Sequence, residues 1–113
     1  MKKDKIYLLH IIDASENIEK FIRGVNYKEF IENGEKQSAV IRQLEIIGEA
    51  TKRISATIKK KYAQLPWKEM AGMRDKLIHD YPEIELPVVW KTANEDIPDI
   101  KKQIEDIIKG DLE

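Results

Sequence analysis

The amino-acid sequence predicts an all-α protein, an up-and-down bundle of four main helices plus one short helix. Three observations carry this. Apolar residues recur at three- and four-residue spacing along nearly the whole chain. Glycine and proline are scarce, while Ile, Leu, Glu and Lys dominate. No stretch alternates apolar and polar residues with the two-residue period of a strand.

The first segment runs from about Lys5 to Arg23, with Leu8, Ile11, Ile12, Ser15, Ile18, Phe21, Ile22 and Val25 on its stripe. Gly24 follows as a C-terminal cap. Asn26-Tyr27-Lys28-Glu29 reads as a capping box opening a short helix that reaches about Glu32, and Asn33-Gly34 is a turn signal. The second segment runs from about Glu35 to Lys60, with a stripe of Val40, Ile41, Leu44, Ile47, Thr51, Ile54 and Ile58. Gly48 interrupts it at a cost of about 1 kcal/mol relative to alanine; it reads either as a tolerated glycine or as a point of close backbone approach. The third segment opens at Leu65-Pro66-Trp67, where proline suits a first helical turn. Its stripe is Trp67, Met70, Ala71, Arg74, Leu77, Ile78 and Tyr81, and Pro82 forces an end near His79 or Asp80. The fourth runs from about Glu85 to Lys109, with Val89, Ala93, Ile97, Ile100, Ile104 and Ile107. Pro98 should kink or split it, and Gly110 should end it. Helices of this length bury one another's stripes in a bundle. At 113 residues the chain is expected to form a single domain, 1–113.

Composition removes several classes of function. With no cysteine there is no disulfide, thiolate metal site or cysteine nucleophile. Two histidines far apart in sequence make no credible metal site, and no phosphate-binding glycine loop or zinc-protease motif occurs. No apolar run is long enough to span a membrane, and the basic start Met1-Lys2-Lys3-Asp4 lacks the apolar core of a signal peptide, so the expected location is cytoplasmic. A net charge of −1 argues against indiscriminate nucleic-acid binding but leaves room for local basic patches.

The chemistry is concentrated in Met73-Arg74-Asp75-Lys76-Leu77-Ile78-His79-Asp80-Tyr81. Arg74 falls on an apolar stripe, where a guanidinium must be paired, face a cleft or sit at an interface. Asp75 and His79 are one helical turn apart, so the carboxylate can orient the imidazole for proton transfer; the same spacing also makes an ordinary surface pair. Tyr81 can contact a phosphate or stack on a base, or simply cover the core. Arg74 and His79, five apart, are separated by about 140° around an ideal helix. One helix is therefore a poor site by itself, and two copies crossing near a two-fold axis would bring two arginines and two histidines into one cleft. Lys59, Lys60 and Lys61, with Lys52 and Arg53, form a basic patch on the second segment that is either a solvated face or a phosphate contact. His10 has no carboxylate four residues away and reads as structural or solvated.

The Arg-x4-His-x-Tyr spacing resembles the signature of HEPN-domain proteins, in particular the HepT-like ribonuclease toxins. The resemblance extends to Leu44-Glu45-Ile46-Ile47-Gly48-Glu49-Ala50, to Pro66-Trp67-Lys68-Glu69-Met70-Ala71-Gly72-Met73-Arg74, and to Val89-Trp90 and Asp96-Ile97-Pro98. It implies a HEPN-type bundle, a homodimer and metal-independent endoribonuclease activity without a cofactor. By that resemblance His79 handles the proton of a ribose 2′-hydroxyl, Arg74 stabilises charge on the phosphate, and Asp75 orients. Lys76, Lys59 and Lys60 are candidate RNA contacts. The resemblance also implies a minimal nucleotidyltransferase antitoxin as partner, transferring AMP to Tyr81. The alternative is a non-catalytic helical partner subunit, or a nucleotide-binding module, that supports a nucleotidyltransferase.

Overall fold

The computed structural model describes the backbone of residues 2–79 and 85–112, and the side chains of 3–73 and 85–111. Among the described residues every regular element is helical. In chain order these are α1 (Lys2–Ile22), α2 (Tyr27–Ile31), α3 (Gly34–Lys52), α4 (Ala56–Lys61), α5 (Trp67–His79), α6 (Leu86–Lys91) and α7 (Ile97–Ile107). A π-helical turn, Thr92–Asp96, joins α6 to α7, and a second, Ile108–Leu112, follows α7. None of the described helices is long and apolar enough to cross a membrane.

Helix α1 ends where the sequence asks for it. Gly24 adopts φ +74°, the left-handed conformation that costs other residues a Cβ clash. The Phe21 carbonyl, orphaned by the helix end, accepts a 2.7 Å hydrogen bond from Lys36 Nζ of α3. The capping box forms as read: the Asn26 side chain accepts from the Glu29 N–H, and the Glu29 carboxylate accepts from the Asn26 N–H.

Helices α1 and α3 are antiparallel. Asp4 bonds Ser55, Asn17 bonds Gln43 and Phe21 bonds Lys36, so one number falls as the other rises. Helix α3 also packs along α5, and α1 packs along α7. The buried stripes meet in one core: Leu8, Ile11 and Ile18 of α1, Val40, Leu44 and Ile47 of α3, Met70 of α5, and Ile97, Ile100, Ile104 and Ile107 of α7. Buried Ser15 and Thr51 each turn their hydroxyl back to the carbonyl four residues earlier, so neither leaves a polar group unpaired. Lys101 of α7 reaches Glu19 of α1 at 2.9 Å and Glu16 at 3.6 Å.

The second segment departs from the single helix expected over 35–60. It breaks after Lys52 and restarts at Ala56. Ser55 caps the new helix by accepting from the Ile58 N–H, and Asp4 of α1 accepts from both the Ser55 N–H (2.8 Å) and its hydroxyl (2.7 Å). The apolar stripe continues through the break, with Ile54 and Ile58 both buried, so the period alone did not reveal it. Pro98 behaves as expected. It lacks an N–H and would crowd the carbonyl four residues back; the π-helical turn before it shifts the register, with the Ile97 N–H bonding the Thr92 carbonyl five residues earlier. Gly110, expected to end the last helix, instead lies inside the second π-helical turn. There Asp111 is held by Lys61 Nζ at 2.7 Å and by the Tyr62 hydroxyl.

Candidate functional site

Helix α5 positions the arginine–histidine motif. It starts behind Pro66 with Trp67 anchored in the core, its Nε1–H donating to the Tyr62 carbonyl at 2.9 Å. Met70 is fully buried one turn later. From this anchor the helical backbone continues without interruption through positions 74, 75, 76 and 79. Arg74, Asp75, Lys76 and His79 therefore share one helix, and the five-residue offset of 74 and 79 is a helical offset. The side chains of these four residues, and Tyr81 with Pro82 altogether, lie outside the described residues.

The basic patch read on the second segment is divided by the break. Lys52 and Arg53 end α3, whereas Lys59, Lys60 and Lys61 lie on α4. Arg53 pairs with Glu49 at 3.2 Å, and Lys61 pairs with Asp111. Lys59 and Lys60 make no hydrogen bond or ion pair to any described residue. Gly48 is buried within the fold, on the helix that packs against both α1 and α5.

Among the described residues, two concave regions lie beside the helices that frame the motif. One, of about 490 Å³, lies between the first half of α5 and the segment running from the first π-helical turn into α7. Its floor is apolar, with Met70, Met73 and Ile100, but its rim carries Glu69, Glu95, Asp96 and Asp99. Four carboxylates there repel a polyanion, so a nucleic-acid strand is disfavoured on this side of α5. The other, of about 270 Å³, lies between α1 and α3 and is lined by Tyr7, His10, Arg42, Glu45, Glu49 and Arg53, among others. Judging His10 by its own helix missed this arrangement. The available signal was on α3, where Arg42, Glu45, Glu49 and Arg53 recur at helical spacing as a polar stripe opposite Tyr7 and His10.

The family described as ribonuclease HepT-like matches residues 11–107, from the second half of α1 to the end of α7. The chain belongs to the HepT-like family. That match contains every motif block quoted above, including the helix that carries Arg74 and His79. A HepT-like relative from Methanocaldococcus jannaschii, named "Putative RNase MJ0125", is 50% identical, covering 99% of this chain and 97% of its own length. The "Probable ribonuclease HepT" of Thermococcus cleftensis is 46% identical over 96% of this chain and 98% of its own. A third relative, "Gamma-glutamylcyclotransferase and putative RNase MJ0434" of M. jannaschii, is 43% identical over 92% of this chain but only 47% of its own length. The name of that protein joins a gamma-glutamylcyclotransferase to a putative RNase. No solved structure matches the chain.

Proposed function

We propose that the chain is a metal-independent endoribonuclease toxin, a single HEPN module over 1–113 that acts in the cytoplasm as a homodimer. The observation that carries this reading is the placement of Arg74 and His79 on the continuous backbone of α5, inside the region matched by a ribonuclease family. The third relative supports the one-module reading, because its HepT-like part occupies under half of a longer chain.

In the proposed reaction His79 takes the proton of a ribose 2′-hydroxyl as that oxygen attacks the adjacent phosphorus. The O2′–P bond forms and the P–O5′ bond breaks, leaving a 2′,3′-cyclic phosphate and, after protonation, a 5′-hydroxyl. Arg74 stabilises the charge that accumulates on the non-bridging oxygens, and Asp75 orients the imidazole. The nucleophile belongs to RNA, so DNA is not cut and no metal is required to make one. The helical offset of about 140° between positions 74 and 79 supports a complete site shared between two copies of α5. Lys76, Lys59 and Lys60 hold flanking phosphates.

Control of such an activity falls to a minimal nucleotidyltransferase antitoxin, which transfers AMP from ATP to the Tyr81 oxygen with release of pyrophosphate. The added phosphate places negative charge beside the cleft and repels RNA. A second reading, a non-catalytic partner subunit of a nucleotidyltransferase, is favoured by the near-neutral charge and by the acidic rim beside α5.

Incubating the purified, unmodified chain with total RNA and tRNA in EDTA separates the two. The ribonuclease reading expects cleavage that falls by roughly 10²- to 10³-fold in folded Arg74→Ala and His79→Ala variants. No cleavage by a wild-type protein of dimeric mass in light scattering selects the partner-subunit reading, and a monomeric mass removes the composite site.

A further inference from the structure

The cavity between α1 and α3 has a chemistry that packing alone does not explain. Tyr7 is half-buried, and His10 stands edge-on to it with ring centroids 5.9 Å apart and planes at 83°. The Arg53 guanidinium lies 5.9 Å from the Tyr7 ring centroid while pairing with Glu49, so that cation is already committed. Arg42 and Glu45 are not. They stand three residues apart on α3, yet neither makes a hydrogen bond or ion pair with the other or with any described residue. Glu45 is half-buried at the wall of the cavity. The Tyr7 hydroxyl and both His10 nitrogens likewise have no hydrogen-bond partner among the described residues. A volume of about 270 Å³ falls just below the range of drug-sized ligand pockets and suits one planar ring with its phosphate outside.

We propose that this cavity is a base-binding subsite for single-stranded RNA, seating one unstacked nucleotide beside the cleavage centre's supporting helix. The proposal rests on the ribonuclease reading above and extends it to substrate recognition. The base lies against His10 and Tyr7, which supply the π surfaces that single-strand binders use. Arg42, exposed at the rim, takes the nucleotide's phosphate. Glu45 accepts from an exocyclic amine on the base edge, so the pocket favours bases bearing an amino group over uracil. The near balance of two arginines against two glutamates fits a selective subsite better than a general phosphate track. Helix α3, which carries most of this cavity's lining, also packs along α5. A nucleotide held here thus has a fixed relation to the motif.

The test uses full-length protein and 2′-O-methyl hexanucleotides of adenosine, cytidine or uridine, which bind but cannot be cut by 2′-hydroxyl attack. Binding is read by fluorescence anisotropy, beside RNA cleavage in EDTA. Adenosine and cytidine hexamers should bind several-fold tighter than the uridine hexamer. Arg42→Ala and His10→Ala alter exposed side chains, and circular dichroism melting verifies their fold. Each should weaken hexamer binding by about tenfold, with Arg42→Ala also lowering the salt dependence by about one charge. Glu45→Gln, which adds a donor, should erase the discrimination against uridine.

Wild-type cleavage with unaltered binding and cutting by the three variants overturns the subsite and leaves the ribonuclease reading standing. Absent wild-type cleavage with variant-sensitive binding overturns the ribonuclease reading and supports the pocket. AMP binding as tightly as the hexamer overturns the strand assignment in favour of a free nucleotide. Loss of dimeric mass in Arg42→Ala overturns the proposal by assigning this face to self-association.

Discussion

Replacing Asp4 should loosen the junction that delivers α5 to its place. Asp4 is only 3% exposed, and its two carboxylate oxygens accept from the Ser55 N–H at 2.8 Å and the Ser55 hydroxyl at 2.7 Å. Ser55 in turn caps α4 through the Ile58 N–H. The bond pair crosses 51 residues of sequence, so it fastens the first turn of α1 to the break between α3 and α4. A hydrogen bond to a charged group contributes roughly 1.5–3 kcal/mol net, and truncation leaves the Ser55 N–H short of a partner. Water can reach part of this site, which reduces the loss. Asp4→Ala should therefore destabilise the chain by about 2–4 kcal/mol, or roughly 10 °C in Tm. Ser55→Ala, which loses the cap and one of the two bonds, should cost about 1–2 kcal/mol. The double variant should cost clearly less than the sum, with a coupling of about 1 kcal/mol or more. Urea unfolding followed by circular dichroism measures all three, through the midpoint at constant slope. An Asp4→Ala loss within about 0.5 kcal/mol of zero, or strict additivity in the cycle, would refute the junction as an energetic link.

Two further outcomes follow from the helix ends. Gly24→Ala should destabilise by about 1 kcal/mol, because no atom crowds an added Cβ and only the positive φ resists it; equal or higher stability in thermal melting would contradict this. The Asp111 latch should respond at both ends of the pH scale. The Lys61 and Tyr62 hydrogen bonds hold the Asp111 carboxyl below its ordinary 3.8, so its contribution is complete above that value and disappears as pH falls through the lowered one. The same bonds raise Lys61 and Tyr62 above 10.5 and 10.0, so their contribution is complete below those values and disappears as pH rises through the raised ones. Protection from hydrogen exchange at residues 108–112, taken relative to the intrinsic amide rate at each pH, should fall at both extremes in the wild type, and Asp111→Asn should remove the acid limb; an unchanged acid limb would show that the latch does not order this turn.

The helical stripes and their caps were legible in the sequence because they are local. A capping box, a left-handed glycine and a three- or four-residue apolar period each involve residues within one or two turns, and Leu8, Ile47, Met70 and Ile104 are buried where that period places them. The membership of the chain in a ribonuclease family was legible for a similar reason, since the blocks around Arg74 and His79 are contiguous stretches. What only the tertiary structure decided depends on partners distant in sequence. The break after Lys52 is held by Asp4, 51 residues before Ser55, and the division of the basic patch follows from it. The exit of the last π-helical turn depends on Asp111 meeting Lys61 and Tyr62. His10 looked solitary along its own helix and acquired Tyr7, Arg42 and Glu45 as neighbours around a cavity only when α1 and α3 packed antiparallel. Hydrophobic periodicity reports which face of a helix turns inward; it carries no information on which polar groups of two helices meet across the seam.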